Sequence, residues 1–213
     1  MYIIDESYFI KELIIPNSSE IDVSGSTDPF EMWIDSKARL CLQLALGNVL
    51  FSDLDSNVTT GAYVPGVAKW DNLVNGHTYT KDDKTYKWKG LIYTEGTFKG
   101  SLLAYYVYAE WLKFQLTRMS GVGEVKGNAA NSVNANSTYR YVETFNTFLE
   151  MYQGKSNNDS NLKLSFINGI PFYDYFNGDG SDYVSLITFL KDNETDYPEA
   201  NLKTYNYLNS FSI

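Results

Sequence analysis

Two close pairs of carboxylates are the first candidates for chemistry in this sequence. Asp53 and Asp55 stand two residues apart, and Asp82 is followed directly by Asp83. Paired carboxylates can act as general acid and base, as in glycosidases, when they face each other across a cleft. Nothing in the sequence places either pair on facing walls, and solvation of a polar loop and of a turn accounts for both. The pairs therefore do not predict an acid–base site.

The chain has a single histidine, His77, and a single cysteine, Cys41. His77 has no serine, cysteine or metal-ligating partner at a recognisable spacing. A lone cysteine can form neither an intramolecular disulfide nor a cysteine metal cluster. Cys41 falls on the apolar side of a predicted helix, where a thiol behaves as a small hydrophobic group. We predict that the chain is not an enzyme and has no metal or cofactor site.

Two glycine-containing segments resemble ligand-binding loops only superficially. Residues 121–127 lack the dinucleotide spacing, follow no predicted strand, and carry Gly127 where a phosphate loop needs serine or threonine. Residues 177–188 begin like a calcium loop, but Asp182 stands at the glycine position and Thr188 at the position of the bidentate glutamate. A turn leading into a helix cap accounts better for the second segment. Both are rejected as ligand sites.

The composition predicts an acidic, packed protein that is rich in aromatic residues. The chain has 213 residues, 44% of them hydrophobic, with 18 Tyr, 12 Phe and 4 Trp, which suits one domain with a core. Its formal net charge of −9 argues against gripping nucleic acid through phosphate neutralisation. Residues 1–15 carry charged side chains and no small-residue cleavage site, so no signal peptide is expected. No apolar run reaches the length of a membrane span.

Helical patterns dominate, so the predicted fold class is mainly α, a helical bundle with a small β-hairpin and an extended C-terminal tail. A short helix is expected over residues 5–15. Asp28 as cap and Pro29 at the first position predict the start of a long helix. A hairpin is expected near residues 77–88. The stripe of the long helix is Phe30, Ile34, Ala38, Cys41, Ala45 and Val49, widened by Leu40, Leu42, Leu44 and Leu46.

The aromatic segment 101–119 has no wide polar face if it is helical. Such a helix must be covered on all sides, and in a chain this short part of the cover is expected from another subunit. A later helix carries the stripe Tyr141, Phe145, Phe148 and Tyr152. A short helix capped by Ser181 is expected to turn Tyr183, Leu186, Ile187 and Leu190 inward. We place one domain at residues 1–193 and a tail at 194–213.

Residues 120–137 form a loop of small residues between the two aromatic helices, with neither a hydrophobic period nor a catalytic set. Such a loop is more typical of an assembly protein than of an enzyme. We expect it to contact a neighbouring subunit or to line a channel, and to be ordered in the assembly. The candidate residues are Gly121, Glu124, Lys126, Asn128 and Asn131.

The C-terminal residues alternate in polarity, as a strand does. Tyr205, Tyr207, Phe211 and Ile213 fall on one face, and chain ends are seldom so apolar unless they are tied down. Two interpretations stay open: a tail that docks on an adjacent protein by strand addition, or a last strand in the chain's own sheet.

The order of these features resembles head–tail connector proteins (adaptor or head-completion proteins) of tailed phages. The likeness is greatest to those of phages that infect Bacteroides-type hosts, including the crAss-like group. It covers residues 28–152, and the tail departs from it. The matching segments are LGNVLF at 46–51, WDNLVNGHTY at 70–79, WKGL at 88–91, LAYYVYA at 103–109 and TRMSGV at 117–122.

The resemblance implies a mostly helical virion subunit, assembled in the host cytoplasm, that forms a ring under the portal, commonly a dodecamer. Such proteins have no catalytic residues; they extend the DNA channel and offer the tail a platform. The implied partners are further copies of the chain, the portal protein and neighbouring tail or ring proteins. DNA would pass through without specific binding, and no membrane is involved.

Two other classes remain as alternatives. A carbohydrate-binding or adhesion module would use exposed tyrosine and tryptophan to stack on sugar rings, whereas most aromatic residues here fall on helical stripes. A hydrolase is the third interpretation, because the members of a catalytic triad can lie far apart in sequence. A glycan array and a sedimentation measurement separate the first two: an adhesin binds sugar as a small species, and a connector assembles and binds none.

Overall fold

The structure is a computed structural model, and it describes residues 3–15, 29–59, 62–95, 98–116, 118–120, 123–125, 137–154 and 183–208. The described chain is mainly α-helical with small antiparallel hairpins, which confirms the predicted fold class. Its helices are α1 (Pro29–Ser56), α2 (Ala68–Asn75), α3 (Leu102–Leu116), α4 (Ser137–Gln153) and α5 (Leu186–Asp192).

The described strands pair only as two-stranded antiparallel hairpins. The pairs are β1 (Val58–Thr59) with β2 (Ala62–Tyr63), β3 (His77–Lys81) with β4 (Lys84–Trp88), β5 (Ile92–Glu95) with β6 (Phe98–Ser101), and β7 (Arg118–Ser120) with β8 (Gly123–Val125). The helices therefore supply most of the core, and the hairpins lie along the connections between them.

Helix α1 is interrupted near its end. The predicted inward residues of its first part are buried: Phe30, Ile34, Ala38, Cys41 and Ala45. The last residue of the predicted stripe, Val49, is 63% exposed instead. The reason is Gly47, whose φ of 76° and ψ of 170° break the helical geometry and turn the final segment. Leu50 and Leu54 are buried in its place.

Helix α3 is covered on all sides over its first half, as its composition requires. Every residue from Leu102 to Ala109 is buried. The cover comes from α1, α4, β6 and the turn Lys11–Leu13 of the same chain, so this part of α3 needs no second subunit. The helix is also shorter than predicted, because it ends at Leu116 and Arg118–Ser120 is a strand.

The hairpin predicted near residues 77–88 is confirmed by β3 and β4. Its turn residues, Asp82 and Asp83, have φ values of 51° and 61°, the left-handed pair that suits two-residue hairpin turns. The base of the hairpin is bonded to α2, because the indole N–H of Trp88 and the backbone N–H of Leu91 both donate to the carbonyl of Leu73, at 2.8 and 3.1 Å.

The N-terminal helix predicted over residues 5–15 is wrong. The chain forms two separate 3₁₀ turns there, Glu6–Tyr8 and Lys11–Leu13. Asp5 caps the first turn by accepting from the N–H of Ser7 at 2.8 Å. Lys11 has a φ of 54°, and a left-handed residue at that position prevents one continuous helix.

The cap of helix α5 lies four residues after the predicted one. The cap is Ser185, whose hydroxyl accepts from the N–H of Thr188 at 3.3 Å, while Ser181 lies outside the described residues. Leu186 and Leu190 face inward as predicted, and Ile187 is only half-buried. Tyr183 precedes the helix and bridges to Lys87 of β4.

Candidate assembly surfaces

The carboxylates that suggested acid–base chemistry do not share a cleft. Asp53 accepts from Lys69 Nζ at 2.6 Å, whereas Asp55 pairs with Arg39 Nη2 at 2.7 Å. The two aspartates are thus close in sequence but pair with different cationic side chains. The other pair, Asp82 and Asp83, forms the tip of a hairpin.

The two residues with the most reactive side chains occupy structural positions. The ring of His77 stacks on Tyr79 with 6.1 Å between centroids. Cys41 is buried on α1, and this burial raises the pKa of its thiol, which keeps it protonated and poorly nucleophilic. Within the described ranges, no three His, Cys, Asp or Glu residues come close enough together to hold a metal ion.

The loop predicted to make subunit contacts begins as a hairpin. Glu124 lies in β8 and pairs with Met119 of β7. The other predicted contact residues lie outside the described part of the chain: Gly121, Lys126, Asn128 and Asn131.

One side of the molecule carries large apolar side chains that the chain leaves exposed. Leu40 and Leu44 of α1 are 38% and 39% exposed, and Phe114 of α3 is 58% exposed. The sequence pattern assigned both leucines to the stripe of the long helix, but they lie at its solvent edge. Phe114 contacts the half-buried ring of Trp33 at 5.2 Å between centroids. We call Trp33, Leu40, Leu44 and Phe114 the α1–α3 stripe.

A small charge cluster crosses the α1–α3 stripe. Glu110 accepts from Lys37 Nζ at 3.1 Å and lies 4.0 Å from Lys113 Nζ. The ammonium of Lys37 also lies 4.7 Å from the centre of the Trp33 ring. The Lys37 and Glu110 side chains are half-buried, so this pair places opposite charges among the apolar groups of the stripe.

An aromatic groove adjoins the stripe between α1, α3 and α4. It encloses a cavity of about 180 Å³, and Leu44, Glu110 and Lys113 form part of its wall. Burial raises the pKa of Tyr106 and of Tyr152, so both hydroxyls stay neutral. The remaining lining residues are Cys41, Tyr106, Tyr141, Phe145, Phe148, Tyr152 and Tyr205.

The described part of the predicted tail is bound to α4 by two side-chain amides. Gln153 donates from Nε2 to the carbonyl of Tyr205 at 2.7 Å and accepts from the N–H of Tyr205 at 2.8 Å. Asn146 does the same with Leu208, donating at 2.9 Å and accepting at 2.8 Å. We call these the amide clamps. The hydroxyl of Tyr207 donates to the carbonyl of Gly154 at 2.9 Å.

These contacts differ from the strand that the alternation predicted. Tyr205–Leu208 is not assigned to a strand, and the amide clamps bind it to α4. Tyr205 is half-buried against Tyr152, at 5.8 Å between ring centroids. Phe211 and Ile213 lie outside the described residues, and docking on an adjacent protein stays a prediction. Sequence reasoning missed the clamps, whose only signal was two amide residues seven positions apart on one helix.

The boundary predicted at residue 193 stays a prediction, and described residues that follow it contact α2 and α1. Tyr197 is buried, and its hydroxyl donates to the carbonyl of Lys69. The backbone N–H of Asn201 donates to the carbonyl of Ala45 at 3.0 Å, and its side chain donates to the carbonyl of Leu44 at 2.9 Å. The chain between α5 and the amide clamps is therefore attached to α2 and α1.

In the described ranges, no helix has both the length and the apolar character needed to cross a membrane. Compared with protein-family models, with curated proteins and with solved structures, the chain gives no match.

Proposed function

We propose that this chain is a structural virion protein that forms a ring at the portal–tail junction of a tailed phage. The observation that carries the proposal is the α1–α3 stripe. Single exposed apolar residues are ordinary on protein surfaces. Several that lie together beside an apolar groove are typical of a protein–protein contact.

A ring requires a heterologous contact, so we propose that the stripe of one copy meets a different surface of the next copy. A stripe that meets a different surface on the next copy generates a closed ring when the rotation closes. The resemblance of residues 28–152 to head–tail connector proteins supports a ring at the portal. The portal protein and neighbouring tail proteins would then contact its two faces.

The charge of the chain suits a channel through which DNA passes. A net charge of −9 gives a surface that repels a polyanion and does not retain it. The loop that begins at β7–β8 is the segment we assign to the channel or to the subunit contact, with Glu124 contributing a negative charge.

The aromatic composition supports assembly better than sugar binding. A carbohydrate-binding module needs tryptophan and tyrosine rings on a solvent face. Trp70, Trp88, Tyr108 and Tyr197 are instead buried in the core of this chain, and the exposed apolar positions on α1–α3 are mainly aliphatic.

The stripe is tested by Phe114→Glu, with Val49→Glu as the matched control. The two positions are 58% and 63% exposed, but only Phe114 belongs to the stripe. An unpaired carboxylate buried in a contact costs several kcal/mol, so Phe114→Glu is expected to weaken assembly at least about 100-fold. Val49→Glu is expected to assemble like the parent chain, and both variants are expected to melt close to it.

The readout is sedimentation over a range of protein concentrations, with thermal unfolding of each variant followed by circular dichroism. Equal assembly of the two variants would remove the stripe from the proposed contact. Ring formation by the parent chain, lost only in Phe114→Glu, is the predicted result.

A further inference from the structure

We propose that α4 is a receptor for an extended peptide and that, in the assembled ring, it binds residues 203–208 of the neighbouring copy. We call these residues the arm. The inference rests on the proposed ring and adds to it the surface and the segment that connect one copy to the next.

The amide clamps bind the peptide backbone through hydrogen bonds, as the edge strand of a sheet does. Each clamp satisfies both the N–H and the C=O of one arm residue, the pair of groups that a strand partner would satisfy. Asn146 and Gln153 stand seven residues apart, about 10.5 Å along a helix, and their partners Leu208 and Tyr205 stand three apart, about 10 Å along an extended chain. Because these two spacings match, the helix can bind an extended peptide that runs antiparallel to it.

The site also has side-chain selectivity. The Tyr205 ring contacts Tyr152, and the Tyr207 hydroxyl donates to Gly154 O. The preferred occupant is therefore an extended segment with tyrosine at two alternate positions. The arm of another copy has this chemistry, because its sequence is the same.

The arm is attached so that it can be exchanged. Asn201 is fixed to Ala45 and Leu44 of α1, while residues 202–204 are exposed. Exchange between copies replaces every contact by an identical one. The local concentration of each copy of α4 around the arm therefore decides which copy the arm binds. Leu44 both anchors Asn201 and belongs to the α1–α3 stripe. A copy seated on that stripe therefore comes next to the base of the arm.

The test is cross-linking between two differently tagged versions of the full chain. One carries Asn206→Cys on the arm and the other Glu150→Cys on α4, and a short bis-maleimide joins them. The parent chain, whose only cysteine is the buried Cys41, measures background. A partner with Val49→Cys measures cross-linking that does not depend on the site.

Covalent heterodimers between Asn206→Cys and Glu150→Cys chains are expected under assembling conditions, with none above background for Val49→Cys. Adding Gln153→Met to the Glu150→Cys chain removes one clamp and is expected to lower the yield about tenfold or more. The same substitution at the exposed Gln43 of α1 is expected to leave the yield unchanged.

The two proposals fail in different ways. A third version carries Asn206→Cys and Glu150→Cys on one chain. If rings form but the two cysteines cross-link only within this version, the exchange is overturned and the ring is left intact. Cross-linked heterodimers without rings would support the receptor on α4 and count against the ring.

Discussion

Replacing Gly90 with alanine is expected to destabilise the fold by about 3–5 kcal/mol. Gly90 has a φ of +99°, and a Cβ there would lie 2.6 Å from the carbonyl oxygen of Val74 and 2.7 Å from the backbone nitrogen of Gly76. Both neighbours are backbone atoms, which cannot rotate away. The clash would separate α2 from the base of the β3–β4 hairpin, where the carbonyl of Leu73 accepts two hydrogen bonds.

Gly66→Ala is the matched control. Gly66 also has a positive φ, +142°, but an added Cβ there would meet no atom of the described residues within 4 Å apart from its own chain neighbours. It therefore measures backbone strain without the clash, about 1–3 kcal/mol. Chemical denaturation of both variants gives the comparison. Equal losses in the free energy of unfolding would show that Gly90 does not carry a tight contact between backbones.

Alkaline pH is expected to unfold the chain cooperatively. Burial is the largest cause of raised pKa values at Tyr105, Tyr106, Tyr152 and Tyr197. A tyrosine whose pKa is higher in the folded state contributes full stability below the unfolded value near 10 and loses it as pH rises above that value. With four such groups, the free energy of unfolding falls by about 5 kcal/mol per pH unit. Unfolding is therefore expected about 1–3 units above pH 10.

Tyrosinate absorbance and circular dichroism, recorded together, provide the measurement. The buried tyrosines are expected to ionise only as helicity is lost. Tyr106→Phe removes one titrating group, and the slope of stability against pH is expected to fall by about 1.4 kcal/mol per unit. Ionisation of all tyrosines while the helices persist would contradict the burial of these hydroxyls.

The local features of the fold were predictable where one short-range rule acted alone. Pro29 began α1, the Asp82–Asp83 turn closed its hairpin, and the continuous apolar run of α3 required cover on every side. The break at Gly47 was not predictable from periodicity, because a glycine inside a helical pattern is often tolerated. Its left-handed conformation depends on how the rest of α1 meets the core.

The surfaces were harder to predict because they depend on contacts between distant parts of the chain. The hydrophobic pattern of α1 did not distinguish Leu40 and Leu44 from Leu42 and Leu46. In the structure only Leu40 and Leu44 are exposed. The alternation of the tail suggested a strand. The amide clamps hold its described part against a helix instead, through residues more than fifty positions earlier in sequence.

The central claim is that copies of this chain close into a ring, and electron microscopy of the purified chain, alone and with its portal, tests it most directly. The predicted result is closed particles of one rotational symmetry whose abundance rises with protein concentration and falls in Phe114→Glu. Particles of a single chain at every concentration, with and without the portal, would contradict it.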